Sequence, residues 1–267
     1  MDRIAWLELP AEARSAVETH TGAVEHARTA ETGVMSRLAC TLHTAAGTVF
    51  VKGTRSDEPA SWMYDYETRV TRVAPLAPRV LWEVEAGGWL LTGYEHLVGA
   101  HPNLAPDSPD LGPFLDALTT MSESRWPEQV RKKPLCVRWA GFYRADRSPD
   151  LEGRTLVHSD VSPLNMLAGE DGVRVLDWAL ACPGPAWADT GFAVPRFIHA
   201  GHTVEEAEVL ARSVSAYRAA DPSAVTTFAH ALCAVWESRD RLDPAPHRAP
   251  LIAAARAWAG QRVAATA

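Results

Sequence analysis

The stretch His158-Ser-Asp-Val-Ser-Pro-Leu-Asn165, followed by Val173-Arg-Val-Leu-Asp-Trp178, is the most telling part of this 267-residue chain. It presents Asp160, then Asn165 five residues on, then Asp177 twelve residues after that. An Asp can orient a hydroxyl and accept its proton, while an amide oxygen and a second carboxylate suit a hard divalent cation. Phosphoryl transfer needs those groups in that order, with the cation set against the phosphates. Asparagine occurs only at Asn103 and Asn165, so a chance match to this spacing is hard to sustain.

Taken singly, each residue has a plainer reading. Asp ahead of Ser162-Pro163 is a common turn residue. Asp177 ends the apolar run Val173, Val175, Leu176, where a carboxylate must be paired, cation-bound or used as a cap. His158 lacks a second His or Cys at ligand spacing, so it reads as a packed imidazole bracing the loop. The three residues together favour the catalytic reading.

Outward from this stretch, the chain divides by composition. Arg37 to His43 and Thr48 to Lys52 read as a β-hairpin across the turn at Thr44–Gly47. Trp62, Tyr66, Val70 and Val73 then recur at helical spacing between Asp57 and Val73, and Pro75 and Pro78 end the helix. Two more strands are predicted, Arg79 to Val84 and Trp89 to Tyr94, joined at Ala86-Gly-Gly88. Residues 95–110 turn to Pro, Gly, Asn and Asp, as a linker does. Beyond them helices dominate: Leu111 to Ser124, much of Thr203 to Ala220, Ala224 to Arg239 and Pro250 to Ala265. The quoted stretch sits among these helices, with short strands around Met166-Leu167 and Val173–Leu176 joined by Gly169–Gly172. The expectation is an α+β fold of two lobes: a strand-rich one with one helix over 1–94, a hinge over 95–110 and a mainly helical one over 111–267.

Composition narrows the class. With 47% hydrophobic and 22% charged residues, the chain matches an ordinary globular protein with a sound core. A net charge of −7 disfavours a nucleic-acid surface, which would show as a basic face. No run of about twenty apolar residues argues for a membrane span, and no apolar leader opens the chain, so a cytoplasmic location is expected. Cys40, Cys136, Cys182 and Cys233 are scattered without a CxxC pair and read as reduced thiols.

The run HSDxxxxN with a following VLDW resembles the aminoglycoside phosphotransferase and choline kinase-like family, whose usual form is HGDxxxxN, then a hydrophobic pair and Asp-Trp or Asp-Phe. Trp178-Ala179 after Asp177 departs from the Asp-Phe-Gly of protein kinases. The resemblance is strong over residues 156–193 and loose elsewhere, and it implies a bilobal protein kinase-like fold. It implies Asp160 as the catalytic residue, Asn165 and Asp177 as ligands of Mg²⁺, and ATP, or alternatively GTP, as phosphate donor. Lys52, closing Val49-Phe-Val-Lys52, takes the place of the phosphate-holding lysine, and Glu67, fifteen residues on, that of its ion-pair partner, with Glu58 a competitor. Gly33 and Ser36, in Glu31–Arg37, take the place of the phosphate-covering loop, and the base is expected beside Thr92 to Glu95, at Tyr94 and Glu95. Ser159 replaces the usual Gly, and Asp189 is read as a structural helix cap.

The partner implied is a small hydroxylated molecule, an aminoglycoside or related antibiotic, with a metabolite alcohol as the alternative and a catalytically silent nucleotide-binding module as the third reading. Glu205, Glu206, Glu208, Glu237, Asp240 and Asp243 are placed to meet a cationic acceptor or to form a solvated helix face. Residues 125–150, with Arg131, Lys132, Lys133 and Arg138, are locally basic and suit an acceptor pocket, an anionic substrate or a surface excursion.

Overall fold

The computed structural model describes residues 3–31 and 36–264. It resolves into two compact units, one of residues 1–98 with 176–179, the other of 99–175 with 180–267.

The first unit is a five-stranded antiparallel sheet with two helices. Helix α1 (Ala11–Thr21) leads into β1 (Val24–Thr29), β2 (Leu38–Thr44) and β3 (Gly47–Arg55); α2 (Trp62–Thr71) precedes β4 (Val80–Ala86) and β5 (Trp89–Glu95). Strand order is β1-β2-β3-β5-β4. The hairpin, α2 and the last two strands lie where the hydrophobic patterning puts them, but α1 and β1 were not legible. Helix α1 buries only Ala13, Val17 and Thr21, a stripe of small residues. Strand β1, Val-Glu-His-Ala-Arg-Thr, is an edge strand with no fully buried position, so it lacks the strict alternation that marks a strand. The expectation of one helix in this unit is therefore corrected to two α-helices among the described residues.

Leu38, Cys40 and Leu42 of β2, Val51 of β3 and Leu91 of β5 form the core of this unit with Trp6, Ala13 and Val17. Gly93 lies opposite Trp82, and a Cβ there would come within 2.2 Å of the indole ring. Only hydrogen fits at that strand position, which lets the indole lie flat over β5.

The second unit contains α3 (Leu111–Ser122), a one-turn α4 (Leu135–Arg138) and β6 (Thr155–Val157). The hairpin β7 (Met166–Gly169) and β8 (Gly172–Val175) follows, then β9 (Cys182–Gly184) paired with β6. Helices α5 (Ala188–His199), α6 (Val204–Ser213), α7 (Ser215–Arg218), α8 (Pro222–Leu242) and α9 (Arg248–Ala264) complete it. Phe228 is the hub of its core, with ring centroids 5.2 Å from Trp139, 5.3 Å from Trp187 and 5.1 Å from Phe192. These edge-on and tilted arrangements suit the ring quadrupoles and add to what the buried area contributes. The region before β6 carries little regular structure, and α5 has Pro195 inside it, which hides it from a periodicity reading. All four cysteines are free and buried. No helix among the described residues is long and apolar enough to cross a membrane.

Candidate active site

Lys52 lies on the face of β3 opposite the Val51 core and pairs with Thr92 of β5. Its Nζ donates to Glu67 Oε1 at 2.6 Å and lies 3.7 Å from Asp177 Oδ1. Glu67 is buried on α2, whose periodicity turns Tyr64, Glu67, Thr68 and Thr71 toward the sheet. Burial works against the charge on Lys52, but the carboxylates of Glu67 and Asp177 outweigh it and hold its pKa well above the usual lysine value. The competition between Glu58 and Glu67 is thereby resolved: Glu58 pairs with Arg37 and lies 3.4 Å from Thr54 Oγ1.

Asp177 has a backbone φ of 60°, in the left-handed region that a non-glycine residue enters at a cost. That turn ends the run of β8 and points the carboxylate toward Lys52 instead of continuing the strand. Strain at a charged residue of this kind is characteristic of functional sites.

The loop from His158 to Asn165 is braced from several sides. Asp189, at the start of α5, accepts the backbone N–H of His158 at 2.8 Å and of Ser159 at 3.0 Å. It therefore holds the loop through both carboxylate oxygens and makes no side-chain cap to its own helix, which corrects the expectation of a cap. Burial pushes its pKa up, against the pull of His158 and the two N–H groups. His158 is fully buried, and its Nδ1 accepts the N–H of Asp160 at 3.2 Å, which makes it a brace, as expected.

Asn165 Nδ2 donates to the Asp160 carbonyl at 2.9 Å and to Asp160 Oδ2 at 3.1 Å. Because both partners are acceptors, the amide must present its nitrogen to them. Its oxygen, the atom a hard cation takes, is left free of that bracing. Asp160 Oδ1 lies 4.0 Å from Arg196 Nη2. Arg196 also donates from Nε to the Val161 carbonyl at 3.2 Å and lies over the Trp236 ring, 5.3 Å from its centroid.

Ser159 also has a left-handed φ, 63°. Its hydroxyl donates to the Leu180 carbonyl at 2.6 Å and accepts from Arg138 Nη1 at 3.1 Å; Arg138 donates to the same carbonyl at 2.7 Å. The serine thus fills a glycine-like backbone position and ties the loop to α4, so the departure from HGD adds anchoring. Arg138 and Arg196 were not singled out as site residues from sequence. Arg138 was visible only as part of a basic stretch, and Arg196 lies on a helix that patterning had not delineated.

Ser36 is buried. Gly33 lies outside the described residues. Tyr94 is buried with its hydroxyl 3.5 Å from Thr68 Oγ1, and Glu95 accepts the N–H of Arg79 at 2.8 Å while its own N–H donates to the Arg79 carbonyl at 2.9 Å. Both residues thus take part in the packing and pairing of β5.

A family model described as the phosphotransferase enzyme family matches residues 109–242, just over half of the chain. The chain belongs to the phosphotransferase enzyme family. Among solved structures, it is similar to a thermostable mutant of aminoglycoside phosphotransferase APH(4)-Ia in ternary complex with AMP-PNP and hygromycin B. The TM-score is 0.65 at 15% identity, covering 94% of this chain and 100% of that one. It is also similar to an aminoglycoside phosphotransferase from Alicyclobacillus acidocaldarius, with TM-score 0.58, 15% identity and coverage of 96% and 95%. Amicoumacin kinase hAmiN, in complex with AMP-PNP, Ca²⁺ and Ami, gives TM-score 0.56 at 11% identity with 92% of each chain covered. At these identities the likeness establishes the fold, the α+β protein kinase-like fold of this phosphotransferase family, and leaves the acceptor open. No curated protein matches the chain by sequence.

Proposed function

We propose that this phosphotransferase moves the γ-phosphate of ATP, with GTP as the alternative donor, to a hydroxyl of a small molecule. The observation that carries the reading is the Lys52 ammonium held between Glu67 and Asp177, on a backbone strained at Asp177. A lysine so placed is charged at any physiological pH and suits contact with donor phosphates.

Asp160 is the residue proposed to accept the acceptor proton. The acceptor oxygen bonds to the γ-phosphorus, the bond from that phosphorus to its bridging oxygen breaks, and the nucleoside diphosphate leaves with the electron pair. Arg196 lies 4.0 Å from the Asp160 carboxylate, and Asn165 fixes its rotamer. Asn165 through its free amide oxygen and Asp177 through its carboxylate are the residues that would hold Mg²⁺; two protein ligands suffice for an ion that keeps water and phosphate oxygens as its remaining ligands. Among the described residues no group of three or more His, Cys, Asp or Glu forms a closed metal cage. When bound, the ion supplies positive charge against the phosphate oxygens. Gly33 and Ser36 are proposed as the phosphate-covering loop, and Tyr94 and Glu95 as the region beside the base.

The domain assignment proposed is a nucleotide-binding lobe over 1–94, a hinge over 95–110 and an acceptor-binding lobe over 111–267. The acceptor was expected to be an aminoglycoside or related antibiotic. A specific observation favours the metabolite-alcohol alternative. The acidic side chains available for a cationic acceptor are engaged elsewhere: Glu205 with Gln261, Glu206 with Thr203, Glu237 with Arg256, and Asp240 and Asp243 with Arg248. Glu208 is buried among Tyr217, Trp258 and Arg262.

The test is release of labelled γ-phosphate onto an acceptor panel by wild type, Asp160→Ala and Asp177→Ala. Asp160→Ala should abolish transfer while keeping nucleotide affinity, and Asp177→Ala should weaken Mg²⁺-nucleotide binding as well. Full transfer activity in both variants would sink the mechanism.

A further inference from the structure

Helix α5 holds the loop on both sides of Asp160. Asp189, in its first turn, accepts the N–H groups of His158 and Ser159. Arg196 follows seven residues later, two helical turns on, and so shares the same face of the helix. Its Nε donates to the Val161 carbonyl at 3.2 Å, and its Nη2 lies 4.0 Å from Asp160 Oδ1. Asp160 is thereby suspended between two backbone anchorages on one helix. Its other carboxylate oxygen, Oδ2, takes the Asn165 amide N–H at 3.1 Å.

The arginine is the less constrained of the two anchors. Its long stem has many rotamers, and one hydrogen bond to a carbonyl does not select among them. The separation from Oδ1 is beyond hydrogen-bond length, so Arg196 acts on that oxygen through charge, and the effect depends on where the guanidinium is held. Trp236 of α8 holds it: the guanidinium carbon lies over the indole, 5.3 Å from the ring centroid. The Arg196 side chain is only 16% exposed, and a cation withdrawn from water gains more from a ring face than an exposed one does. Burial lowers the pKa of Arg196 and the Asp160 charge opposes that shift, in keeping with the distance between them.

We propose that Arg196 and Trp236 are positioning residues for Asp160: the indole fixes the guanidinium, and the guanidinium, anchored on the Val161 carbonyl, keeps the Asp160 carboxylate turned to the acceptor hydroxyl. The inference rests on the phosphotransferase reading and extends its machinery to α8, a helix that supplies none of the reacting groups.

The test uses the whole chain with Mg²⁺-ATP and choline, homoserine, glucose, hygromycin B or water as acceptor, read by release of γ-phosphate from ATP. Rates are compared on whichever acceptor wild type uses fastest. Trp236→Leu should lower kcat about tenfold and leave KM for ATP within about twofold of wild type, and Trp236→Phe, which restores a ring face, should recover most of the loss. Arg196→Gln should lower kcat about a hundredfold, as misplacement of a reacting group does, again with KM for ATP little changed. In the Arg196→Gln background Trp236→Leu should add no further loss, because the indole then has no cation to hold. A packing role for Trp236 would instead lower kcat by the same factor in both backgrounds. Should Trp236→Leu not fold, Arg196→Lys decides: it keeps a cation over the ring and should recover part of the kcat lost in Arg196→Gln. Equal losses in the two backgrounds, a wild-type kcat in Trp236→Leu, or no recovery in Trp236→Phe or Arg196→Lys overturns the inference and leaves phosphotransfer standing. Phosphate release by wild type no faster than by Asp160→Ala overturns both.

Discussion

Asn165 donates to Asp160 twice, once to its backbone carbonyl and once to its carboxylate, at 2.9 and 3.1 Å. The residue proposed to bind metal therefore also sets the rotamer of the residue proposed to receive the proton. Replacing Asn165 by Ala removes both effects, whereas Asp retains an oxygen ligand but places a like charge beside Asp160. Asn165→Ala should lower kcat by about a hundredfold or more, the range seen when a positioning donor is lost. Asn165→Asp should likewise lower kcat, because it loses the amide donor to Asp160 and sets a like charge beside it. Steady-state kinetics on both variants checks this; a wild-type kcat in Asn165→Asp would contradict the coupling.

Glu67 and Glu58 offer a direct contrast. Lys52 and Glu67 keep side-chain exposures of 17% and 7%, so Glu67→Ala leaves a buried ammonium with Asp177 as its remaining carboxylate. The expected loss is about 3 kcal/mol of stability, with a marked rise in KM for the nucleotide. Glu58 pairs with the more exposed Arg37, and Glu58→Ala should cost under about 1 kcal/mol and leave nucleotide KM close to wild type. Denaturant unfolding and nucleotide titration separate the two.

The raised pKa of Lys52 fixes the sign of a pH effect. A lysine held above its usual value of 10.5 contributes stability that is fully present below that pH and is lost only as pH rises through the higher folded value. The stability difference between wild type and Lys52→Met should therefore be flat from pH 7 to 9 and shrink above about pH 10.5. Thermal unfolding at stepped pH measures it. A decline already between pH 7 and 9 would mean that burial outweighs the two carboxylates.

Ser159 sets two opposing effects against each other. Glycine at φ 63° relieves about 1 kcal/mol of left-handed backbone cost, whereas loss of the hydroxyl removes hydrogen bonds to the Leu180 carbonyl and from Arg138 worth about 1 kcal/mol each. Ser159→Gly should be nearly neutral to mildly destabilising, and Ser159→Ala, which loses the bonds without the relief, should be destabilised by about 2 kcal/mol. Equal melting temperatures for the two variants would refute this ordering.

The helices and strands that bury strongly periodic faces were legible, as in β2, β3 and α8, because alternation and the 3.6-residue repeat record burial directly. Helix α1, edge strand β1 and the Pro195-containing α5 were not, since small, exposed or helix-breaking residues weaken that record. Linear spacing by itself determined the order of Asp160, Asn165 and Asp177, and with it the class of chemistry, because the two metal-ligand types and the proton acceptor follow one another along a short segment. Only tertiary structure decided which carboxylate meets Lys52, how Asp189 grips the loop, and that Arg138 and Arg196 reach the loop around Asp160. Those pairings join residues 15 to 36 positions apart and are set by packing and charge in the folded chain; no local pattern encodes them.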